Sequence, residues 1–167
     1  PHHECEIAQS ECFSGKQPFV RLWLHKRRIN LAGEKMSKSL GNVFTLPDVV
    51  SRGYSPLDLR YYLLSVHYRT NLKFSFDDLD SMRKVRLKIV EWVGLVDQAS
   101  TQSVPHPKGE CDPAYETAVS DFTSAMNRDL NTPGALAAMF TAMNHWYARR
   151  EAKAPLYTED LRMLQEF

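Results

Sequence analysis

Prolines that directly follow helix-capping residues place the strongest constraint on how this chain can fold. Ser55-Pro56, Asp112-Pro113 and Thr132-Pro133 each join a side chain that favours the N-cap position to a proline that fits the first helical turn. A fourth helix start is predicted near Thr45, with Pro47 two residues later. Because proline disrupts a helix interior, these pairs fix where helices begin. The sequence from Thr45 onward therefore predicts a series of separate helices.

Apolar residues recur at helical spacing after these starts and indicate which helix faces are buried. Ser75 caps the longest predicted helix, and a last helix begins at Thr158 and continues to Phe167. Residues 99–112, which are polar and contain two prolines, are typical of a linker. We therefore expect an antiparallel helical bundle that is incomplete at its C-terminal end. The predicted stripes are Leu79, Met82, Arg86, Ile89, Val93 and Val96, then Tyr115, Val119, Phe122 and Met126, then Leu136, Met139, Phe140, Met143 and Tyr147.

The N-terminal residues follow a different pattern. Residues 1–14 predict a short helix, residues 19–31 alternate apolar and polar side chains as strands do, and residues 33–42 predict a loop. The predicted fold class is therefore mixed α/β and mostly helical. The chain divides into three predicted parts, which are residues 1–44, residues 45–74 and residues 75–167.

Charge and cysteine content exclude several classes of protein. The 21 Lys and Arg residues nearly balance the 20 Asp and Glu residues, so any surface that binds nucleic acid must be local. No apolar run approaches the roughly 20 residues that cross a bilayer. Three cysteines are too few for a disulfide framework. We expect a cytoplasmic protein with no membrane partner.

A cationic stretch of the sequence has the composition of a phosphate-binding loop. Lys35 and Lys38 lie between Gly33 and Gly41, with serines beside them. Ammonium groups are compact charges that suit phosphate oxygens, and hydroxyl groups add donors. The composition alone favours an ordinary solvated turn over a phosphate-binding loop.

Two further pairs of residues have spacings that would place both side chains on the same side of a helix or strand, as a binding site requires. His2 and Glu6 are four residues apart, so on a helix they share one face and could both bind a metal ion. A surface pair would have the same spacing. Trp23 and His25 alternate on a predicted strand and so point to one side, either towards a ligand or into a core.

Several of these motifs together resemble one family. Lys35-Met36-Ser37-Lys38-Ser39 is identical to the KMSKS signature of class I aminoacyl-tRNA synthetases. Residues 1–11 closely resemble a segment of the cysteinyl-tRNA synthetases, and similar stretches occur at residues 23–25, 64–69 and 129–133. The chain is therefore identified as a member of that family over essentially its whole length.

The resemblance implies a fold and an activity. Residues 1–44 would form the C-terminal part of a class I Rossmann-type catalytic domain, residues 45–74 a stem-contact region, and residues 75–167 a tRNA-binding bundle. The family uses ATP with Mg to activate L-cysteine as cysteinyl-adenylate, and it transfers the cysteine to tRNA(Cys) in translation. The full-length enzyme is expected to be a monomer.

The resemblance also assigns nucleotide-binding residues. Lys38 would contact ATP and Lys35 would assist it as catalytic residues, with Met36, Ser37 and Ser39 in the same loop. Trp23 and His25 would lie beside the adenosine of ATP. Arg27 replaces a glycine that is usual in the family, which makes residues 26–28 a candidate additional phosphate contact.

The remaining implied sites bind zinc and tRNA. His2 and Glu6 would be two of four zinc ligands, and the other two, both cysteines, lie outside these residues in the family. Cys5 replaces a usual asparagine and would point away from Glu6 on a helix. The tRNA-binding candidates on the long helix are Arg83, Lys84, Arg86 and Lys88; a solvated charged face is the alternative interpretation.

Two other functions remain open on the sequence. The His-Ile-Gly-His signature of the family is missing from these residues, so we expect this chain alone to be inactive. It could instead be a non-catalytic module that binds tRNA or a partner protein. A third candidate is the related cysteine ligase of thiol biosynthesis, although Asn131-Thr132-Pro133 favours the synthetase.

Overall fold

The computed structural model describes residues 2–31, 34–35 and 44–167. Most of these residues are helical, which confirms the predicted fold class. The helices are α1 (His2–Ser14), α2 (Leu46–Ser51), α3 (Pro56–Leu64), α4 (Phe76–Ser100), α5 (Pro113–Asn127), α6 (Thr132–Glu151) and α7 (Thr158–Leu164), and the strands are β1 (Ile29–Leu31), β2 (Glu34–Lys35) and β3 (Leu72–Phe74).

Helices begin where the capping residues predict. Thr45, Ser55, Ser75 and Asp112 each accept a hydrogen bond from a backbone N–H of the first turn. The prediction for α6 was wrong by one residue, because Asn131 is the cap and accepts from the Gly134 N–H at 3.2 Å. The hydroxyl group of Thr132 therefore does not cap the helix, and it donates to the Leu64 carbonyl oxygen instead.

The N-terminal part contains less strand than the alternation of residues 19–31 predicts. Only Ile29–Leu31 forms a strand, and it is the central strand of a sheet with the order β2-β1-β3. It pairs antiparallel to β2 and parallel to β3. In the described part of the chain, residues 19–28 have no neighbouring strand, so their alternation produces no ladder. Alternation by itself cannot supply a pairing partner.

Two hydrophobic cores share α4. The first core forms where the sheet and α3 pack on the start of α4, and it contains Val49, Tyr62, Leu72, Phe74 and Leu79. The second core forms between the later turns of α4 and the other bundle helices. It contains Trp92, Val96, Tyr115, Ala118, Met139, Ala142, Met143, Trp146, Leu161 and Leu164. A single continuous helix therefore joins the two halves of the molecule.

The predicted stripes miss the two largest core residues. Trp92 and Trp146 are fully buried, whereas their predicted neighbours Val93 and Tyr147 are 47% and 37% exposed. A helix turns about 100° per residue, so one step along the chain is enough to exchange an inward for an outward position. Among the described residues, none of the helices combines the length and the apolar character needed to span a membrane.

Candidate active-site cleft and the basic face of α4

An aromatic cluster joins α1 to the segment that follows it. The Nε2 atoms of His3 and His25 lie 2.9 Å apart, so one imidazole donates a hydrogen bond and the other accepts it. The ring of Trp23 lies 4.8 Å from that of His3 and is nearly parallel to that of His25, with an interplanar angle of 9°. Trp23 and His25 therefore face the same side, although they do not form a strand.

His3 is a residue of this cluster that the sequence does not single out. Its only signal in the sequence is its position beside His2, and its partner His25 lies 22 residues along the chain. The hydrogen bond between the two imidazoles restricts the orientation of His25, and the ring of His3 contacts the rings of both His25 and Trp23.

The same segment lines an open cleft of about 400 Å³. Its lining includes Trp23, His25 and Arg27, and also Tyr68 and Arg69 from the segment after α3. A parallel indole and imidazole beside guanidinium groups could stack a base and attract an anionic ligand. The cleft therefore has the chemistry of a nucleotide site.

Lys26 lines the same cleft, but its ammonium group is bonded to backbone carbonyl groups. Its ammonium group donates to the carbonyl oxygens of Leu63 and Val66, at 3.0 and 3.3 Å, at the end of α3. Cations are favoured at this end of a helix because its carbonyl groups carry partial negative charge. Partial burial lowers the pKa of Lys26. Of the basic triplet, Lys26 is thus already bonded to two backbone carbonyl groups, at and just after the end of α3.

The cationic loop lies mostly outside the described residues. Met36, Ser37, Lys38 and Ser39 fall there, and Lys35 is described only as a backbone residue of β2, opposite Asn30. Their assignment to ATP stays a prediction.

An aromatic and cationic cluster holds the chain just after that loop. The guanidinium group of Arg52 lies over the rings of Phe44 and Phe76, at 4.8 and 4.1 Å, and Thr45 caps α2. Arg52 and Phe76 therefore fix Phe44, the first residue described after the gap.

His2 and Glu6 both lie exposed on α1. In the described ranges, no group of three or more His, Cys, Asp or Glu side chains is placed to bind a metal ion. A structural zinc site needs four ligands, so these two donors alone do not fit a zinc ion. Cys5 and Cys12 are exposed free thiols.

The basic residues of α4 divide into two groups. Arg86 donates through Nε to Oδ1 of the buried Asp58 at 2.6 Å, and Nε of Arg83 lies 3.9 Å from the same carboxylate. Arg83 also donates to the Gly53 carbonyl oxygen. Lys84 and Lys88, by contrast, are exposed on one face. The two lysines are therefore exposed and do not contact the Asp58 carboxylate, unlike Arg86 and Arg83.

Two family models match parts of the chain. A family model described as "tRNA synthetases class I (C) catalytic domain" matches residues 1–84. The chain belongs to the class I tRNA synthetase family. A second family model, described as "DALR domain", matches residues 121–166 of this synthetase chain, within the helical bundle.

Three relatives of this synthetase chain share one name. It is 43% identical to the cysteine--tRNA ligase of Chlamydia muridarum over 84% of its residues, and 39% identical to that of Chlamydia abortus over 89%. It is 41% identical to the cysteine--tRNA ligase of a Sulfurihydrogenibium species over 84%. The chain spans 29%, 31% and 28% of the length of these relatives.

A solved structure shows the same fold. The LeuRS of Agrobacterium radiobacter K84, in its ternary complex with tRNA and LeuAMS, aligns with 96% of this chain at a TM-score of 0.67. The chain covers 22% of that protein, and the two sequences are 21% identical. The arrangement of elements in this chain is thus that of part of a class I synthetase.

Proposed function

We propose that this chain is part of a cysteine--tRNA ligase, which uses ATP to activate L-cysteine and then transfers the cysteine to tRNA(Cys). The observation that carries the proposal is its 39–43% identity to enzymes of that name over more than four fifths of the chain. The cleft beside Trp23 and His25 supports the activation step. The helical bundle, part of which the DALR model matches, supports the transfer to tRNA.

Activation joins the cysteine carboxylate to the α-phosphate of ATP and releases pyrophosphate. The transition state spreads negative charge over the phosphate oxygens, so positioned cations accelerate the step. Lys38, assisted by Lys35, is proposed to supply that charge. Met36, Ser37 and Ser39 would position the loop, and ATP would bind with Mg.

Trp23 and His25 are proposed to bind the adenosine of ATP. Their nearly parallel rings offer a flat surface, and the hydrogen bond between His25 and His3 restricts the imidazole before a ligand arrives. A restricted side chain loses little entropy on binding, which favours affinity.

The bundle and α4 are proposed to bind tRNA. Lys84 and Lys88 are the two cations of the predicted run that are free of the Asp58 contact, and they would meet the phosphate backbone. We propose His2 and Glu6 as zinc ligands only together with two further donors that are not in this chain. The whole enzyme is proposed to be a cytoplasmic monomer.

A Lys38→Ala variant of the whole ligase tests the proposal. We expect cysteine-dependent exchange of pyrophosphate into ATP to fall by roughly a hundredfold or more, as for loss of a charge-stabilising group. Binding of tRNA should change little. Lys108→Ala is the matched control, since Lys108 is an exposed lysine of the segment after α4.

Equal exchange in Lys38→Ala and the unmodified enzyme would contradict the catalytic assignment. Absence of any cysteine-dependent exchange by the unmodified whole enzyme would favour a binding module. Exchange without transfer of cysteine to tRNA would favour the cysteine ligase of thiol biosynthesis. The 167-residue chain alone is proposed to be inactive.

A further inference from the structure

The two halves of the molecule meet at a second point besides α4. Three consecutive residues after α3, His67, Tyr68 and Arg69, all contact Asp129, about 60 residues away in the turn between α5 and α6. We call this set of contacts, with the neighbouring one from Thr132 to Leu64, the Asp129 junction. It connects the part that holds the cleft to the part that holds the bundle.

The contacts at Asp129 are numerous and partly charged. Arg69 donates through Nε to Oδ2 at 2.6 Å and through Nη2 to Oδ1 at 3.3 Å, and the Tyr68 hydroxyl donates to Oδ1 at 2.5 Å. His67 donates through Nε2 to the Asp129 carbonyl oxygen at 2.9 Å. The hydrogen bonds from Arg69 and Tyr68 hold the pKa of Asp129 below its ordinary value of 3.8. The carboxylate is therefore charged, and held by two side chains, at neutral pH.

The turn that presents Asp129 is conformationally strained. Asp129 and Leu130 have φ angles of 55° and 51°, in the left-handed region that residues with a Cβ atom rarely adopt. Aspartate tolerates this region better than most residues, but leucine does not. Such a turn persists only where surrounding contacts stabilise it. The Asp129 junction supplies those contacts.

Polar contacts, rather than apolar packing, hold the two halves together here. A cavity of about 330 Å³ lies beside the junction, lined by apolar side chains that include Leu24, Leu63, Met126 and Leu130. Thr132 donates through Oγ1 to the Leu64 carbonyl oxygen at 2.7 Å across the same boundary. Loosely packed apolar groups restrain orientation weakly, so the directional hydrogen bonds define it.

The same segment also contacts the cleft. The Arg27 N–H donates to the Tyr68 carbonyl oxygen at 2.8 Å, and Tyr68 and Arg69 line the cleft together with Trp23. Tyr68 and Arg69 therefore contact both the candidate nucleotide site and Asp129 in the turn between α5 and α6. A movement of the bundle would be transmitted to the cleft through these two residues.

We propose that the Asp129 junction fixes the orientation of the helical bundle relative to the cleft, and that Asp129 is a positioning residue for charging of tRNA. The proposal rests on the proposed function of the whole enzyme. With α4 as the only connection, the bundle could bend and twist about that helix. With the junction as a second fixed point, tRNA bound to the bundle is held at one position relative to the activated amino acid.

Two variants of the whole ligase separate positioning from folding. Asp129→Asn keeps a residue that tolerates the left-handed turn but removes the charge, and Thr132→Val removes the bond to Leu64. We expect cysteine-dependent pyrophosphate exchange to stay within about twofold, while kcat/KM for tRNA charging falls by roughly ten- to hundredfold, as for misplaced substrates. Asp121→Asn, an exposed aspartate of α5, is the matched control and should change neither.

A folding defect would lower both activities in proportion, and that result would overturn the proposal. Unchanged charging by Asp129→Asn would overturn it as well. If the unmodified whole enzyme shows no cysteine-dependent exchange, the proposed function fails, and hydrogen exchange then tests the junction by itself. The Arg27 amide should exchange faster in Asp129→Asn than in Asp121→Asn, and equal rates would show that the junction does not restrain the cleft wall.

Discussion

Nε of Arg86 lies 2.6 Å from Oδ1 of Asp58, a carboxylate that is completely buried where α3 meets α4. The other oxygen of Asp58 accepts the Ser55 N–H and closes the capping box of α3. The Asp58 side chain thus takes part in the N-terminal cap of α3 and also binds Arg86 of α4.

We expect loss of the Asp58 charge to destabilise the fold strongly. Asp58→Asn leaves the largely buried Arg86 guanidinium without a counter-charge, which typically lowers the free energy of unfolding by about 3 kcal/mol or more. Urea unfolding followed by circular dichroism measures the change, with Asp121→Asn as the surface control. Adding Arg86→Gln should cost much less in the Asp58→Asn background than alone, and additive costs would contradict the pairing.

Lys84 and Lys88 are expected to bind tRNA more than the arginines beside them. Reversing both charges to Glu should weaken tRNA binding and lower the slope of log affinity against log salt by about 0.7–0.9 for each phosphate that the lysines no longer neutralise. Filter binding at several salt concentrations provides the measurement. Lys108→Glu is the control. Unchanged tRNA binding at low salt by the variant with both charges reversed would show that α4 is not part of the tRNA-binding surface.

Substitution by alanine should have opposite effects on the stability of the protein at Gly134 and at Gly94. A Cβ atom at Gly134 would lie 2.6 Å from Nδ2 of Asn131, the residue that caps α6, whereas one at Gly94 meets nothing within 4 Å. Gly134→Ala should therefore displace the cap and destabilise the protein by roughly 0.5–2 kcal/mol. Gly94→Ala should stabilise it by roughly 0.5–1 kcal/mol, since α4 is helical there. The midpoints of thermal unfolding of the two variants test this difference in sign.

Cys111 is expected to resist alkylation while Cys5 and Cys12 react. Burial, and next the negative charge of Asp160, raise the pKa of Cys111 to about 12, so almost none of it is thiolate at pH 8. Cys5 and Cys12 are exposed on α1. Iodoacetamide labelling at pH 8, followed by peptide mass spectrometry, should modify Cys111 last. Early modification of Cys111 would show that the segment before α5 opens in solution.

Local signals in the sequence predicted the helices well because a cap and a proline act within a few residues. The starts of α2, α3, α4 and α5 follow from Thr45, Ser55, Ser75 and Asp112. Strands were predicted less well, since residues 19–28 alternate as a strand does but have no partner in the described part of the chain. A ladder depends on a second strand, which can lie anywhere in the sequence.

The same difference between local and long-range signals applies to the candidate site. The sequence by itself determined the motifs, the spacing of His2 and Glu6, and the alternation of Trp23 and His25. Tertiary structure alone decided that His3 meets His25, that Asp58 binds Arg86 and leaves Lys84 and Lys88 exposed, and that Arg69 reaches Asp129 across 60 residues. Helix starts depend on neighbours along the chain, whereas the partner of a charge depends on which elements pack together.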